Sequence, residues 1–309
     1  MPARVDGPAV GRWGQVLALA GFLLFAPPRF LFGPLAALLW VSRPATVREW
    51  AWLLGALAWS GLWLHQAGGL GAQFARAAAV LVSGSFLALT LWRPSNRVSR
   101  ALAATGGAAV GLAVWMYGLG LQWSMLRSAV EIELAAFQRA MRASWAGMGG
   151  SSEMSAQMSA MADTVSFLYP ALLAIAAIAG LRLAWAWYHR IADHPVGAPP
   201  APFPAFAFSD QLIWGWVIGL ALALVPEPEW ARVTGANLLL VWGALYATRG
   251  LAVVVTVATR TPGAVLAVIA LVTLILMPFV LGGLTIVGFA DTWLDFRRRV
   301  APATGGYDR

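Results

Sequence analysis

Stretches of apolar residues recur along this chain, and several approach or exceed the roughly 18 residues a helix needs to cross the hydrocarbon core of a bilayer. They lie at residues 14–26, 30–41, 49–64, 72–92, 101–124, 164–187, 209–225, 235–256 and 262–290. Inside a bilayer no water is available to satisfy backbone N–H and C=O groups, so such runs must satisfy them internally, as helices. The chain therefore reads as all-α, a polytopic transmembrane helical bundle of about eight spans. Composition agrees. Apolar residues make up 60% of the 309 and charged residues 11%, against about 25% charged in ordinary soluble domains. Mean hydropathy is +0.72. A soluble fold of this size would lack the polar surface to cover itself.

The charges that are present mark where the chain surfaces. All 21 basic residues are arginines, and they give a net charge of +8. In a soluble domain this excess would suggest nucleic acid. Here the arginines sit in short loops between apolar runs, which is the positive-inside pattern of a membrane protein, so no nucleic-acid partner is expected. Loop 93–100 carries Arg93, Arg97 and Arg100, and the tail carries Arg297, Arg298 and Arg299. Both are placed in the cytoplasm, with the chain in the inner membrane of a bacterium. Trp13, Trp40, Trp50, Trp52, Trp92, Trp123 and Trp230 flank the runs, where an amphipathic ring suits the headgroup layer. There is no cysteine, which excludes disulfides, thiolate nucleophiles and cysteine-ligated metal centres. The stretch from Val16 to Ala26 follows Arg4 and Arg12 like a signal peptide. It resumes directly after Pro27, Pro28 and Arg29 with no clear small-residue cleavage site, so it reads as a retained first span.

The chain divides as a single integral domain over 1–309. Spans at 12–124 precede an amphipathic, non-spanning helical insertion at 125–163, then spans at 164–296 and a basic tail at 297–309. In the insertion, Leu126, Val130, Leu134, Phe137, Met141 and Trp145 recur at three- and four-residue steps as one apolar stripe. Arg127 and Glu131 can pair beside it. Met154, Met158 and Met161 form a second short stripe. It reads as a flexible apolar face, not a copper site. Seven crossings counted from the Arg43–Arg48 loop would leave the Arg297–Arg299 tail outside, against the preference of three arginines for the inside. Either 262–290 forms two short helices hinged at Pro278 and Gly282–Gly283, or Arg249–Gly250 breaks 235–256 into a re-entrant piece.

No phosphate-binding loop, HExxH or GxSxG is present. His189, Asp193 and His194 lie together after a span, where interfacial polar residues are expected, and no metal or other cofactor is expected. Gly14 with Ala18, Gly107 with Gly111, and Gly215 with Gly219 strip one helix face of bulk. Each pair serves close packing within the subunit or a docking face for a partner. Asp210 enters an apolar run behind Ser209, as a helix cap or a buried acid. Trp242, Tyr246 and Arg249 share one face of a helix, within about 60° of each other, while Asn237 points away. Arg249 either pairs inside the bundle or snorkels to the surface. Asp291 and Asp295, one turn apart, read as an interfacial anchor or a coupling point for a cytoplasmic partner.

Three segments carry a likeness. FSDQLIWG, NLLLVWGALYATRGLAVV and GFADTWLDFRRR together resemble the YybS-like family of predicted bacterial membrane proteins, most strongly over 205–299. The resemblance implies a distant relation to the S-components of energy-coupling-factor transporters: membrane-embedded binders of a small-molecule solute that dock on a membrane coupling subunit driven by ATPases. On that reading the protein is not an enzyme. Asp210, Asn237, Tyr246 and Arg249 are the candidate ligand-binding residues. Their cavity is expected to open to the outer face beneath the 125–163 segment. A structural or regulatory membrane scaffold is the alternative. A two-aspartate intramembrane protease built on Asp210 and Asp291 is the remote one, since GFAD at 288–291 lacks the second glycine of the GxGD pattern.

Overall fold

The computed structural model describes residues 28–92, 98–145, 164–258 and 277–296. Helices and their connections make up the described chain, and no strand occurs among the described residues. Nine α-helices lie in them: α1 (Phe32–Val41), α2 (Val47–His65), α3 (Leu70–Trp92), α4 (Ser99–Gly118), α5 (Trp123–Trp145), α6 (Tyr169–Ile191), α7 (Ile213–Leu224), α8 (Glu229–Ala258) and α9 (Met277–Leu294).

Among the described residues, α3, α4, α6 and α8 are long and apolar enough to cross a membrane. About eight spans were expected. The difference lies in helix length. α1 and α7 hold 10 and 12 residues, or about 15 and 18 Å at 1.5 Å per residue, short of a hydrocarbon core of about 30 Å. Residues 14–26 and 262–276 lie outside the described residues. Leucines, valines and tryptophans remain exposed on α2, α4, α7 and α9, among them Leu62, Val110, Val114, Trp214 and Ile286. On a membrane helix these are the lipid-facing positions.

Two packing groups make up the bundle. In the first, α1, α3 and α4 close around α6. Its core is mostly alanine and leucine with Phe30, Phe86, Trp185 and Tyr188. In the second, α8 packs along both α7 and α9, and a smaller core joins Phe206, Phe208, Leu245 and Tyr246. The α6–α8 contact connects the groups. Glycine permits the closest crossings. A side chain at Gly250 or Gly288 would strike the backbone of the facing helix, α9 or α8. One at Gly235 would strike the backbone of α7 at Gly219 and Ala223.

The amphipathic reading of α5 agrees with the structure. Leu126 and Val130 are buried and Leu134 packs on the same core, and Arg127 Nε bonds Glu131 at 2.9 Å. α5 lies against the start of α3, where Glu133 accepts from the Ala72 N–H at 3.3 Å. Phe137, Met141, Trp145 and the three methionines lie outside the described side chains.

Both ideas about the C-terminal runs are corrected where they can be read. α8 continues unbroken through Arg249–Gly250, and α9 through Gly282–Gly283. Flanking residues are good helix formers, and both glycine sites are needed or tolerated inside a packed helix. The end of α9 meets Arg249 near the C-terminal end of α8, next to the α6–α7 connection. α9 therefore ends at the same end of the bundle as that connection.

Candidate functional site

α8 delivers Arg249 to the α6–α7 connection, and α9 delivers Asp291 to the same point. Arg249 Nε donates to Asp291 Oδ2 at 2.9 Å, and Nη1 donates to Asp210 Oδ1 at 3.0 Å. Nη2 donates to the Asp291 carbonyl at 3.3 Å. The Arg249 side chain is 7% exposed, Asp291 0% and Asp210 65%. The guanidinium thus joins a buried carboxylate to one at a solvent-accessible rim. Planar donors in a fixed fork suit this two-sided arrangement. Phe208 closes one side, its ring centroid 5.4 Å from the guanidinium carbon. Beneath lies Tyr246, fully buried, stacked on Phe289 at 3.9 Å and set edge-on to Phe208 at 5.1 Å.

These groups form the wall of an open cleft of about 580 Å³, lined by Asp210, Arg249, Asp291, Asp295, Thr256 and the proline-rich 202–208 segment. Among the described residues its lining carries three carboxylates and one guanidinium. Its volume falls within the roughly 300–1,000 Å³ of small-molecule sites.

Sequence reasoning named most of these residues and left their setting open between two alternatives. Asp210 makes no cap bond: a short 3-10 turn at Asp210–Leu212 has no side-chain cap, and Asp210 faces Arg249. Arg249 does not snorkel. Asp291 is buried against Arg249 and so is not displayed to a partner. Asp295 lines the cleft.

Asn237 stands elsewhere. It lies 12 residues before Arg249, about 18 Å along the helix. Its Oδ1 accepts from the Ala171 N–H at 2.9 Å, and its Nδ2 donates to Phe167 and Val233 carbonyls. The first turn of α6 lacks a side-chain cap of its own, and Asn237 supplies an acceptor to it from α8.

The glycine stripes are used inside the chain. Trp242 lies on Gly215, Leu238 and Leu239 of α8 lie on Gly219, and Leu81 of α3 lies on Gly111. A Cβ on Gly107 would meet only Ser85, at 3.9 Å. The faces at Gly111, Gly215 and Gly219 are therefore covered by helices of this chain. Gly14 and Ala18 lie outside the described residues. The most intimate contact, Gly250 on Gly288, went unnoticed in the sequence because its partners sit 38 positions apart on different helices.

The cleft does not open beneath the amphipathic helix, as expected. Asp210 lies on the α6–α7 connection and bonds Arg249, whereas α5 meets the N-terminal approach to α6, where Ser166 donates to Glu131 at 3.1 Å. The apolar stripe of α5 is taken up by the start of α3, which fixes it at the far end. The histidine loop has ordinary partners: His189 bonds the Trp185 and Gly197 carbonyls, and Asp193 pairs with Arg48. No cluster of three or more His, Asp or Glu side chains suited to a metal occurs among the described residues.

The family described as predicted membrane protein (DUF2232) matches residues 20–292, and the chain belongs to it. The match takes in the N-terminal packing group as well as the segments that carried the likeness. No curated protein and no solved structure matches the chain.

Proposed function

We propose that this member of the predicted membrane protein family is a membrane-embedded binder of a small polar solute, and not an enzyme. The observation that carries the proposal is the Asp210–Arg249–Asp291 array in the wall of an open cleft. Burying a guanidinium and a carboxylate in a membrane protein is costly, and such residues are by default functional. The carboxylate of Asp210, exposed at the rim of the cleft, favours a solute with a cationic group, such as an amine or a zwitterion. The rim position of Asp210 suits it to meet that group, with Arg249 and Asp291 as the fixed base.

The protease reading finds no support. The Arg249 guanidinium lies between the two aspartates, where a shared proton and a water would be needed.

The sidedness follows from the positive-inside rule. The end that carries the cleft also carries the 41–48 loop, the end of α3, the start of α4 and the end of α9, which in the sequence adjoin Arg93, Arg97 and Arg297–Arg299, and is assigned to the cytoplasm of a bacterial cell. For an uptake subunit this is the side of release. The resemblance to the YybS-like family and to S-components adds the partner, a membrane coupling subunit with ATPases.

The test uses full-length protein in detergent. Its thermal unfolding is followed with a panel of small cationic, zwitterionic and anionic solutes. A cationic or zwitterionic solute should raise the midpoint, and Asp210→Asn should weaken its binding about tenfold, the worth of one charge-assisted hydrogen bond. A panel without any shift, or shifts indifferent to Asp210→Asn, would reject solute binding and leave the scaffold reading.

A further inference from the structure

A second arginine is buried in the first packing group, and its surroundings contain donors without acceptors. Arg100 lies in the first turn of α4 and is 6% exposed. Its guanidinium sits over two rings, 3.9 Å from the Trp185 centroid and 4.6 Å from that of Phe86. Rings of this kind stabilise a cation and leave its N–H groups unused. Arg100 Nε and Nη1 are buried without a hydrogen-bond partner, and so is Trp185 Nε1.

The residues around them supply no counter-charge. A small pocket at this point is lined by Phe86, Val98, Arg100, Ala101, Leu181, Arg182, Trp185 and Pro200. Its second cation, Arg182, makes one long contact with the Ala201 carbonyl at 3.5 Å and lies over Phe206 at 4.9 Å. Neither arginine takes part in an ion pair among the described residues. No Asp or Glu is among the described residues that line the pocket. α4 also starts here without a side-chain cap, and a helix N-terminus favours an anion.

We infer that Arg100, Arg182 and the Trp185 indole N–H form a binding site for a phosphate group. Two cations and an indole donor offer several N–H groups and no acceptor, which matches the oxygens of a phosphate mono- or diester. The enclosed space is about 20 Å³, enough for phosphate oxygens to enter while the rest of the ligand stays outside. The pocket lies at the end of the bundle that carries the arginine-rich loops, at the depth where α4 begins. That is the level of a phospholipid headgroup, and free phosphate has the same chemistry.

The test measures which source fills the site. Full-length protein in mild detergent is given phosphatidylglycerol, a neutral glycosyl diglyceride lacking phosphate, or inorganic phosphate. Bound lipid is read by native mass spectrometry and stability by thermal unfolding. The comparison variants are Arg100→Gln and Arg182→Gln. Arg182 is only partly buried, so its variant remains informative should Arg100→Gln fail to fold. Retention of phosphatidylglycerol over the glycolipid, reduced about tenfold in Arg182→Gln, supports the site with a lipid occupant. Stabilisation by inorganic phosphate, lost in the same variant, supports it with a free-phosphate occupant. Equal retention of both lipids with no response to phosphate, or a response that survives in Arg182→Gln, overturns the inference.

Discussion

Two arginines are buried at one end of this bundle, and they are housed by opposite means. Arg249 joins three elements through carboxylates, one fully buried and one at the rim. Arg100 rests between aromatic rings with no ion pair among the described residues. The first arrangement pairs the guanidinium with acids of the chain itself and ties α8, α9 and the α6–α7 connection together. The second tolerates a cation without neutralising it. The same residue type, equally buried, is thus a tie in one group and an open donor in the other. Burial alone does not tell them apart; the partners do.

The largest expected effect tests that contrast directly. Arg249→Met takes from the buried Asp291 the guanidinium bonded to its Oδ2, and removing one partner of a buried pair costs about 3–5 kcal/mol. Adding Asp291→Leu should return most of it, because an apolar pair of similar volume replaces buried ions at little or no cost. Arg100→Met, measured without phosphate or anionic lipid, should leave stability unchanged or raise it. Chemical unfolding of detergent-solubilised protein reads all three. Equal losses at Arg249 and Arg100 would break the comparison.

The next effect concerns the crossing that brings Arg249 and Asp291 together. Gly288→Leu would drive a side chain into the α8 backbone at Tyr246. Overpacking of this kind costs about 1–3 kcal/mol or more, and part of the loss should appear as a weakened Arg249–Asp291 contact. Gly107→Ala in the other group meets only Ser85 at 3.9 Å and should leave the unfolding midpoint unmoved. A neutral Gly288→Leu would mean that the charge pair does not depend on the crossing.

How far the sequence reaches follows the same division. Helices were legible because lipid imposes one backbone solution on every long apolar run, and α5 was legible because its stripe keeps a helical period. The shared face of Tyr246 and Arg249 could be computed from spacing within one helix. That Asp210, 39 positions away, and Asp291, 42 positions away, converge on Arg249 could not, since it depends on how three elements pack. Asn237 shows the converse: spacing placed it correctly on another face, yet its partner is the first turn of α6, which no local pattern signals. The run at 209–225 reads longer than α7 because hydropathy does not register the 3-10 turn at Asp210–Leu212 that precedes it.

Asn237 sharpens the comparison by a neutral case. Asn237→Leu strands the Ala171 N–H and the Phe167 carbonyl, and an unsatisfied buried group costs about 1–3 kcal/mol. The loss should appear in thermal unfolding with no change at the cleft, about 18 Å away along α8.

Glu49 extends it to an acid. It sits in the first turn of α2, outside the four spanning helices, in a capping box with Thr46. Its carboxylate accepts from the backbone N–H groups of Thr46, Ala45 and Asp193. Chiefly the Thr46 and Asp193 N–H bonds lower its pKa from 4.5 to about 2, against the opposing effect of burial. The folded value lies below the unfolded one, so Glu49 contributes stability above pH 4.5 that is lost as pH falls towards 2. Glu49→Gln should flatten the unfolding midpoint over that window. An unchanged pH profile would show that backbone donors in the first group do not hold an acid as arginine does in the second.

The smallest effect on stability falls on Asp210. At 65% exposure its bond to Arg249 is screened by water, and exposed ion pairs contribute about 0–1 kcal/mol. Asp210→Asn keeps an oxygen towards Nη1 and should change the unfolding midpoint little, because Asp291 still holds the guanidinium. Its effect belongs instead to solute binding, where the rim carboxylate meets the ligand. Asp291→Asn is the internal control: it should destabilise far more than Asp210→Asn while altering ligand selectivity less. If the two variants lose stability equally, the buried and rim carboxylates are equivalent supports, and the division of Arg249's partners into a structural and a ligand-facing half fails.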